Sequence, residues 1–244
     1  MTERMRQGAR ALGLELSDRQ LAQFERYYEL LTEWNERINL TAITQKDEVA
    51  EKHFLDSLGG ASAVREVLDR GGRRLIDVGT GAGFPGIPLK ILFPELKLTL
   101  LDSLQKRIRF LEEVCRELGL ENVTCVHGRA EEAAHLPQYR ESFDIAVSRA
   151  VAPMSILLEY CAGYLKPGAC LLAYKGPSLP GELADARREL TMLGMSCRST
   201  LEVTVPGADW THYVAIVDKR GKLALQYPRK QSKIKKSTEI SRGQ

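Results

Sequence analysis

The sequence has little cysteine: five residues in 244 (Cys115, Cys125, Cys161, Cys170, Cys197), an odd set with no Cys-x-x-Cys pair. That argues against a disulfide framework and against a zinc site, so reduced, buried thiols and no metal are expected. Long apolar runs are also missing. The longest are strand-sized pieces such as 98–101, far below the roughly 20 residues a membrane span needs. Met1-Thr-Glu-Arg-Met-Arg6 has no apolar stretch behind its charges, so no secretory signal is expected. No internal repeat or low-complexity block is visible. An apolar content of 43% with 27% charge is ordinary for a soluble globular protein. A cytoplasmic monomer without membrane attachment is the expectation.

Neither sign of charge dominates overall, with 35 Lys plus Arg against 32 Asp plus Glu for a net +3. The distribution is uneven. From Lys219 onward nine basic residues face one acid, Glu239, so this tail carries +8 and residues 1–218 carry −5. An acidic body with a basic tail suggests a polyanionic partner, either nucleic acid or an anionic membrane surface. The simpler alternative is a solvated C-terminus.

The texture changes once along the chain. Residues 1–72 read as a helical extension. Ser17 followed by Gln20 is a capping-box pattern, and Leu21, Phe24, Tyr28, Leu31, Trp34 and Ile38 recur behind it at helical spacing. A second helix is expected after a Thr44 cap, carrying Val49, His53 and Leu58, and a third over 63–69. Residues 73–218 alternate short β-branched runs with helical stretches. The runs lie at 75–78, 98–101, 123–126, 143–147, 169–174, 201–205 and 213–217, and the clearest helices at 104–118 and 183–193. This alternation predicts a mostly parallel α/β sheet covered on both faces. The last two runs, separated by 206–209, predict an antiparallel hairpin at one edge. Residues 219–244 form the basic tail.

The most informative stretch runs from Arg74 to Lys90. An apolar strand carries Asp77, glycines follow at 79, 81, 83 and 86, and a helix begins. Such glycines turn the chain tightly and bring its backbone against a ligand at the carboxyl edge of the sheet. Gly81-Ala-Gly83-Phe-Pro-Gly86 spells a nicotinamide-dinucleotide pattern. The register that starts directly after the strand is Asp77-Val-Gly79-Thr-Gly81-Ala-Gly83, which looks like the first motif of methyltransferases. Asp102, at the end of the second strand, suits the ribose hydroxyls of an adenosine, a moiety common to both cofactors. Gly128–Glu132 and Ser148–Ala150 end the next two strands and face the same crevice. Seven strands closing in a hairpin resemble the Rossmann-like fold of class I S-adenosylmethionine-dependent methyltransferases.

Six segments together resemble one family closely: Trp34–Ile43, His53–Leu58, Asp77–Lys90, Leu101–Arg107, Asp144–Ala152 and Tyr227–Lys230. They are similar to the bacterial ribosomal RNA small subunit methyltransferase G family, also called glucose-inhibited division protein B. The resemblance implies methyl transfer from S-adenosylmethionine to N7 of a guanine in 16S rRNA, guanosine 527 in the usual bacterial numbering. It also implies cofactor contacts from Gly79 and Phe84, from the Asp102-Ser103-Leu104 turn, from Ala130 with Glu131, and from Arg149, to which the loop itself adds Gly81 and Asp77, a carboxylate suited to the cofactor's ammonium. Asn39, His53 and Lys175 are candidates for the substrate wall, and Arg229 and Lys230 for phosphate contacts. After Lys230 the family commonly continues with a Gly-x-Pro-x-Lys-like stretch. Here residues 231–237 keep lysines but lack that glycine and proline. A small-molecule or protein acceptor, or a nicotinamide-nucleotide-binding module, stand as alternatives.

Overall fold

The computed structural model describes residues 1–205, 208 and 210–234. Seven strands form one sheet: β1 (Arg74–Val78), β2 (Lys97–Asp102), β3 (Val123–His127), β4 (Phe143–Arg149), β5 (Leu165–Lys175), β6 (Met195–Val203) and β7 (His212–Lys219). Their order across the sheet is β3-β2-β1-β4-β5-β7-β6. The first five are parallel, while β7 runs antiparallel to both β5 and β6. The expected hairpin is therefore present, but β7 lies inside and β6 forms the edge. Most of the predicted turn at 206–209 lies outside the described residues.

Side-chain alternation explains why both faces are covered. Leu75, Leu98, Ile145, Leu172 and Val214 belong to one core, and Ile76, Leu101, Ala146, Leu171 and Ala215 to the other. Successive residues of a strand point to opposite faces, so these runs need an apolar layer on each side. On the first face pack α1 (Thr2–Ala11), α2 (Asp18–Ile38) and α3 (46–58), followed by α4 (Ala61–Asp69), α5 (Gly86–Leu92) and α6 (Gln105–Glu117). The other face holds α7 (Ala130–Ala133), α8 (Met154–Ala162), α9 (Leu179–Asp185) and α10 (Arg187–Met192).

The Ser17 capping box forms as expected, with Ser17 N–H donating to Gln20 Oε1 at 2.9 Å. Gln20 also donates to the Ile91 carbonyl, 2.8 Å, fastening the start of α2 to the end of α5. Two local expectations differ from the fold, and one helix is not singled out in the sequence. Helix α1 has no side-chain cap and buries the small residues Gly8 and Ala9 beside Met5, which leaves almost no apolar period to read. Helix α3 starts after Gln45, one residue beyond Thr44, and widens into a π-helical segment at Ala50–Leu55. The helix expected over 183–193 is two helices, broken at the buried Ala186.

Candidate functional site

The strand order reverses between β1 and β4, and in open α/β sheets the crevice at such a point binds ligands. Here the loop after β1 enters it on glycines. Gly79 and Gly81 have φ of 73° and 61°, left-handed conformations that glycine adopts without strain. The N–H groups of Gly79 and Thr80 donate to the Leu101 carbonyl at 2.9 and 3.1 Å, tying the loop to the end of β2. A Cβ on Gly79 would lie 2.5 Å from a Val151 methyl, so the glycine lets the loop after β4 close in.

Asp77 is fully buried behind this loop. Its Oδ2 accepts from Thr80 Oγ1 and from Gly86 N–H, both at 2.7 Å. Its Oδ1 is buried and has no hydrogen-bond partner. Burial pushes the carboxyl up to about 7. An unpaired buried acceptor is costly, and a cationic donor such as an ammonium would satisfy it.

Asp102 is 3% exposed and orders two loops at once. Its Oδ2 accepts from Gly81 N–H at 2.9 Å and from Arg107 at 3.2 Å, and its Oδ1 accepts from Leu104 N–H at 2.9 Å. It lines a cleft of about 480 Å³ together with Gly79, Ser103, Ala130, Glu131 and Arg107. That size lies in the range of small-molecule sites. Gln231, from the C-terminal segment, is also on its wall.

A second, larger cleft of about 850 Å³ adjoins the first, and Ala150–Pro153 are a wall of both. Ala150 turns this wall with φ of 56°, a left-handed conformation uncommon for a residue with a Cβ. The lining includes Lys52, His53, Asp56, Arg149, Lys175 and His212. Arg149 is its hub. The guanidinium donates to Asp56 Oδ2 at 2.6 Å and to the Lys52 carbonyl at 3.2 Å, and it lies over the Phe84 ring, 5.0 Å from the centroid. Asp56, 1% exposed, holds His212 Nδ1 at 2.8 Å with its other oxygen. His212 and Arg149 hold its carboxyl below the usual range, against the upward push of burial. His53 stacks on Phe84 at 4.7 Å and pairs its Nε2 with Thr41 Oγ1 at 2.8 Å. Burial and Arg149 push the imidazole down to about 4, so it is neutral near pH 7.

Lys175 donates to the Ala152 carbonyl, 2.6 Å, and to Glu182, 2.7 Å, which fixes the shared wall against α9. Arg149, His53 and Lys175 thus meet in the larger cleft, while Asp102, Ser103, Ala130, Glu131 and Gly79 meet in the smaller. Gly81 reaches the smaller cleft only through its bond to Asp102, and Leu104 is 42% exposed beside it. Phe84 lies in a buried cluster with Tyr27, His53 and Phe54, outside both linings. Asn39 is the exposed left-handed C-cap of α2, also outside both. Arg229 is not aimed at solvent: it forms a two-pronged pair with the fully buried Glu159, at 2.9 and 2.7 Å. Lys230 beside it is exposed.

Sequence reasoning passed over Asp56, His212, Glu182 and Gln231. Asp56 sits inside the His53–Leu58 segment, but its partners are 93 and 156 residues away. No local spacing reveals such a group. Among the described residues no three His, Cys, Asp or Glu side chains are grouped to hold a metal ion, and no helix is long and apolar enough to cross a membrane.

Strand order, glycine loop and paired clefts define a class I S-adenosylmethionine-dependent methyltransferase fold. Its backbone is similar to that of the cyclase SpnF, with a TM-score of 0.54, 18% identity and coverage of 83% of this chain and 96% of that one. A candidate O-methyltransferase from Klebsiella pneumoniae gives a TM-score of 0.53 at 16% identity, over 80% and 90% of the two chains. The likeness at that identity concerns the fold. More specifically, the sequence profile of the rRNA small subunit methyltransferase G family matches residues 20–206, and the chain belongs to that family. Ribosomal RNA small subunit methyltransferase G of Alkaliphilus metalliredigens is 47% identical over 226 residues, 93% of either chain. The protein of that name from Streptococcus gordonii is 46% identical over 218 residues, 89% of this chain and 91% of its own.

Proposed function

We propose that this chain, an S-adenosylmethionine-dependent methyltransferase of small-subunit rRNA, methylates N7 of guanosine 527 in 16S rRNA. The observation that carries the reading is the pair of clefts sharing Ala150–Pro153 at the switch point of the sheet. One suits a nucleoside and the other a larger, cation-lined guest. A donor and an acceptor bound on either side of one short wall are held for direct transfer.

The residues fit the cofactor. Asp102, Ser103, Ala130 and Glu131 border the nucleoside cleft, where the Asp102 carboxylate would accept from ribose hydroxyls. Asp77, with its unpartnered Oδ1, would hold the amino end, and Arg149 the carboxylate end. S-adenosylmethionine supplies an electrophilic methyl carbon on a sulfonium sulfur.

The acceptor side follows from guanine chemistry. N7 carries a free lone pair and needs no deprotonation, so alignment and electrostatics suffice. His53 accordingly serves as a wall: it is neutral, and its nitrogens face Thr41 and the Lys52 carbonyl. Lys175 commits two of its three N–H bonds to protein, leaving one for a guanine oxygen or a phosphate. The Trp210 and His212 rings, 4.5 Å apart, add an aromatic lining on which a base can stack.

Incubation of unmethylated 16S rRNA, naked and within small subunits, with the protein and labelled S-adenosylmethionine tests the reading. Label in 7-methylguanosine at position 527 is expected. Label in another base or position would overturn the assignment, and label only in a protein would favour the other acceptor class.

A further inference from the structure

The C-terminal segment is fastened across α8 and the loop that follows α7 at several points before it reaches the nucleoside cleft. Arg140 donates to the carbonyls of Leu223 and Tyr227 at 3.2 and 2.8 Å. His135 Nε2 meets the Pro228 carbonyl at 2.8 Å. Arg229 then clamps Glu159: its backbone N–H reaches Oε1 at 2.7 Å, and its guanidinium spans both carboxylate oxygens. Glu159 is completely buried, and a buried carboxylate keeps its charge only when paired and hydrogen-bonded. The clamp is therefore structural, and it delivers the next turn, residues 231–234, to the mouth of the cleft. There Gln231 joins the lining, its Oε1 accepting from Arg129 at 3.4 Å, with Tyr160 beside it.

We propose that residues 223–234 form a strap that completes the cofactor site, with Gln231 as a cofactor-contacting residue and the Arg229–Glu159 pair as its positioning clamp. This rests on the methyltransferase reading of the cleft. A primary amide suits the nucleoside part of the cofactor, because it offers both a donor and an acceptor to a purine edge or a ribose hydroxyl. It also puts the exposed Lys230 and Lys233 within a residue or two of Gln231. A tail serving RNA alone would leave cofactor affinity untouched; a strap ties the two events together, because any ligand that orders it favours the other.

Calorimetry with S-adenosylhomocysteine on the full chain tests this. Gln231→Ala is expected to raise the dissociation constant by about three- to tenfold, the effect of one lost hydrogen bond. Glu159→Gln is expected to raise it as well, and Lys222→Ala, in the same tail but outside the cleft, to leave it unchanged. In the wild-type chain S-adenosylhomocysteine should slow tryptic cleavage after Lys230 and Lys233. An unchanged constant for Gln231→Ala would overturn the strap, as would cleavage indifferent to the ligand. Absence of binding by the wild-type chain would instead overturn the cofactor reading itself.

Discussion

At Asp77 one carboxylate oxygen is saturated and the other has nothing to bind. Burial raises the group from 3.8 to about 7, so at pH 6 the folded chain holds it largely protonated. An ammonium brought to Oδ1 favours the charged form and lowers that value. Binding of S-adenosylhomocysteine at pH 6 should therefore release a proton, and binding at pH 8 should not. Calorimetry in buffers of different ionisation enthalpy reads that difference directly; no proton release at pH 6 would restrict Asp77 to ordering the loop. Asp102 has two tasks, since it fixes Gly81 and Leu104 and faces the nucleoside cleft. Asp102→Ala is expected to weaken the same ligand by about 1–3 kcal/mol, measured as a ratio of dissociation constants. Both aspartates stood out in the sequence because each sits at a strand end, Asp77 ahead of the glycine loop and Asp102 ahead of the Ser103-Leu104 turn. Gln231 and Asp56 did not, because what places each at a cleft is a partner far along the chain.

The element that most shapes the larger cleft is α3. Its π-helical segment, Ala50–Leu55, precedes Asp56, which faces Arg149 on β4 and His212 on β7. Segments of this kind often mark functional sites, and here it joins the N-terminal helices to the catalytic sheet by charge. Asp56→Ala would leave the largely buried Arg149 without its carboxylate. The expected loss is about 3–5 kcal/mol of folding stability, read by urea unfolding. The sequence shows that a helix lies here, through Val49, His53 and Leu58, but its local widening has no compositional mark. Elsewhere the inner strands were readable because both faces of the sheet demand apolar residues, whereas the half-exposed edge strand β6 begins at Met195, six residues before the run expected at 201–205. The position of β7 inside β6 was not, since a hairpin's sequence is the same whichever strand meets the sheet. Helix α1 escaped for the opposite reason: its buried face is made of Gly8 and Ala9.

For the whole molecule, the +8 of the tail overstates what a partner meets. Lys219 is completely buried and paired with Glu141, and Arg229 is paired with Glu159. Lys230 and Lys233 are exposed, and Lys235, Lys236 and Arg242 lie outside the described residues. The exposed charge thus falls in two groups, Arg220 with Lys222 ahead of the strap and Lys230 with Lys233 where it leaves the cleft. If Lys230 and Lys233 meet phosphates, replacing both with Gln should weaken rRNA binding and reduce its logarithmic salt slope by about 0.7 per contact for single strands. Filter binding across a salt series measures this, and an unchanged slope would assign RNA contact to another surface. One measurement addresses the proposed product most directly. Mass spectrometry of the 16S rRNA fragment containing position 527, from cells with and without this gene, is predicted to show 7-methylguanosine only where the gene is present. Methylation that persists without the gene would contradict the account.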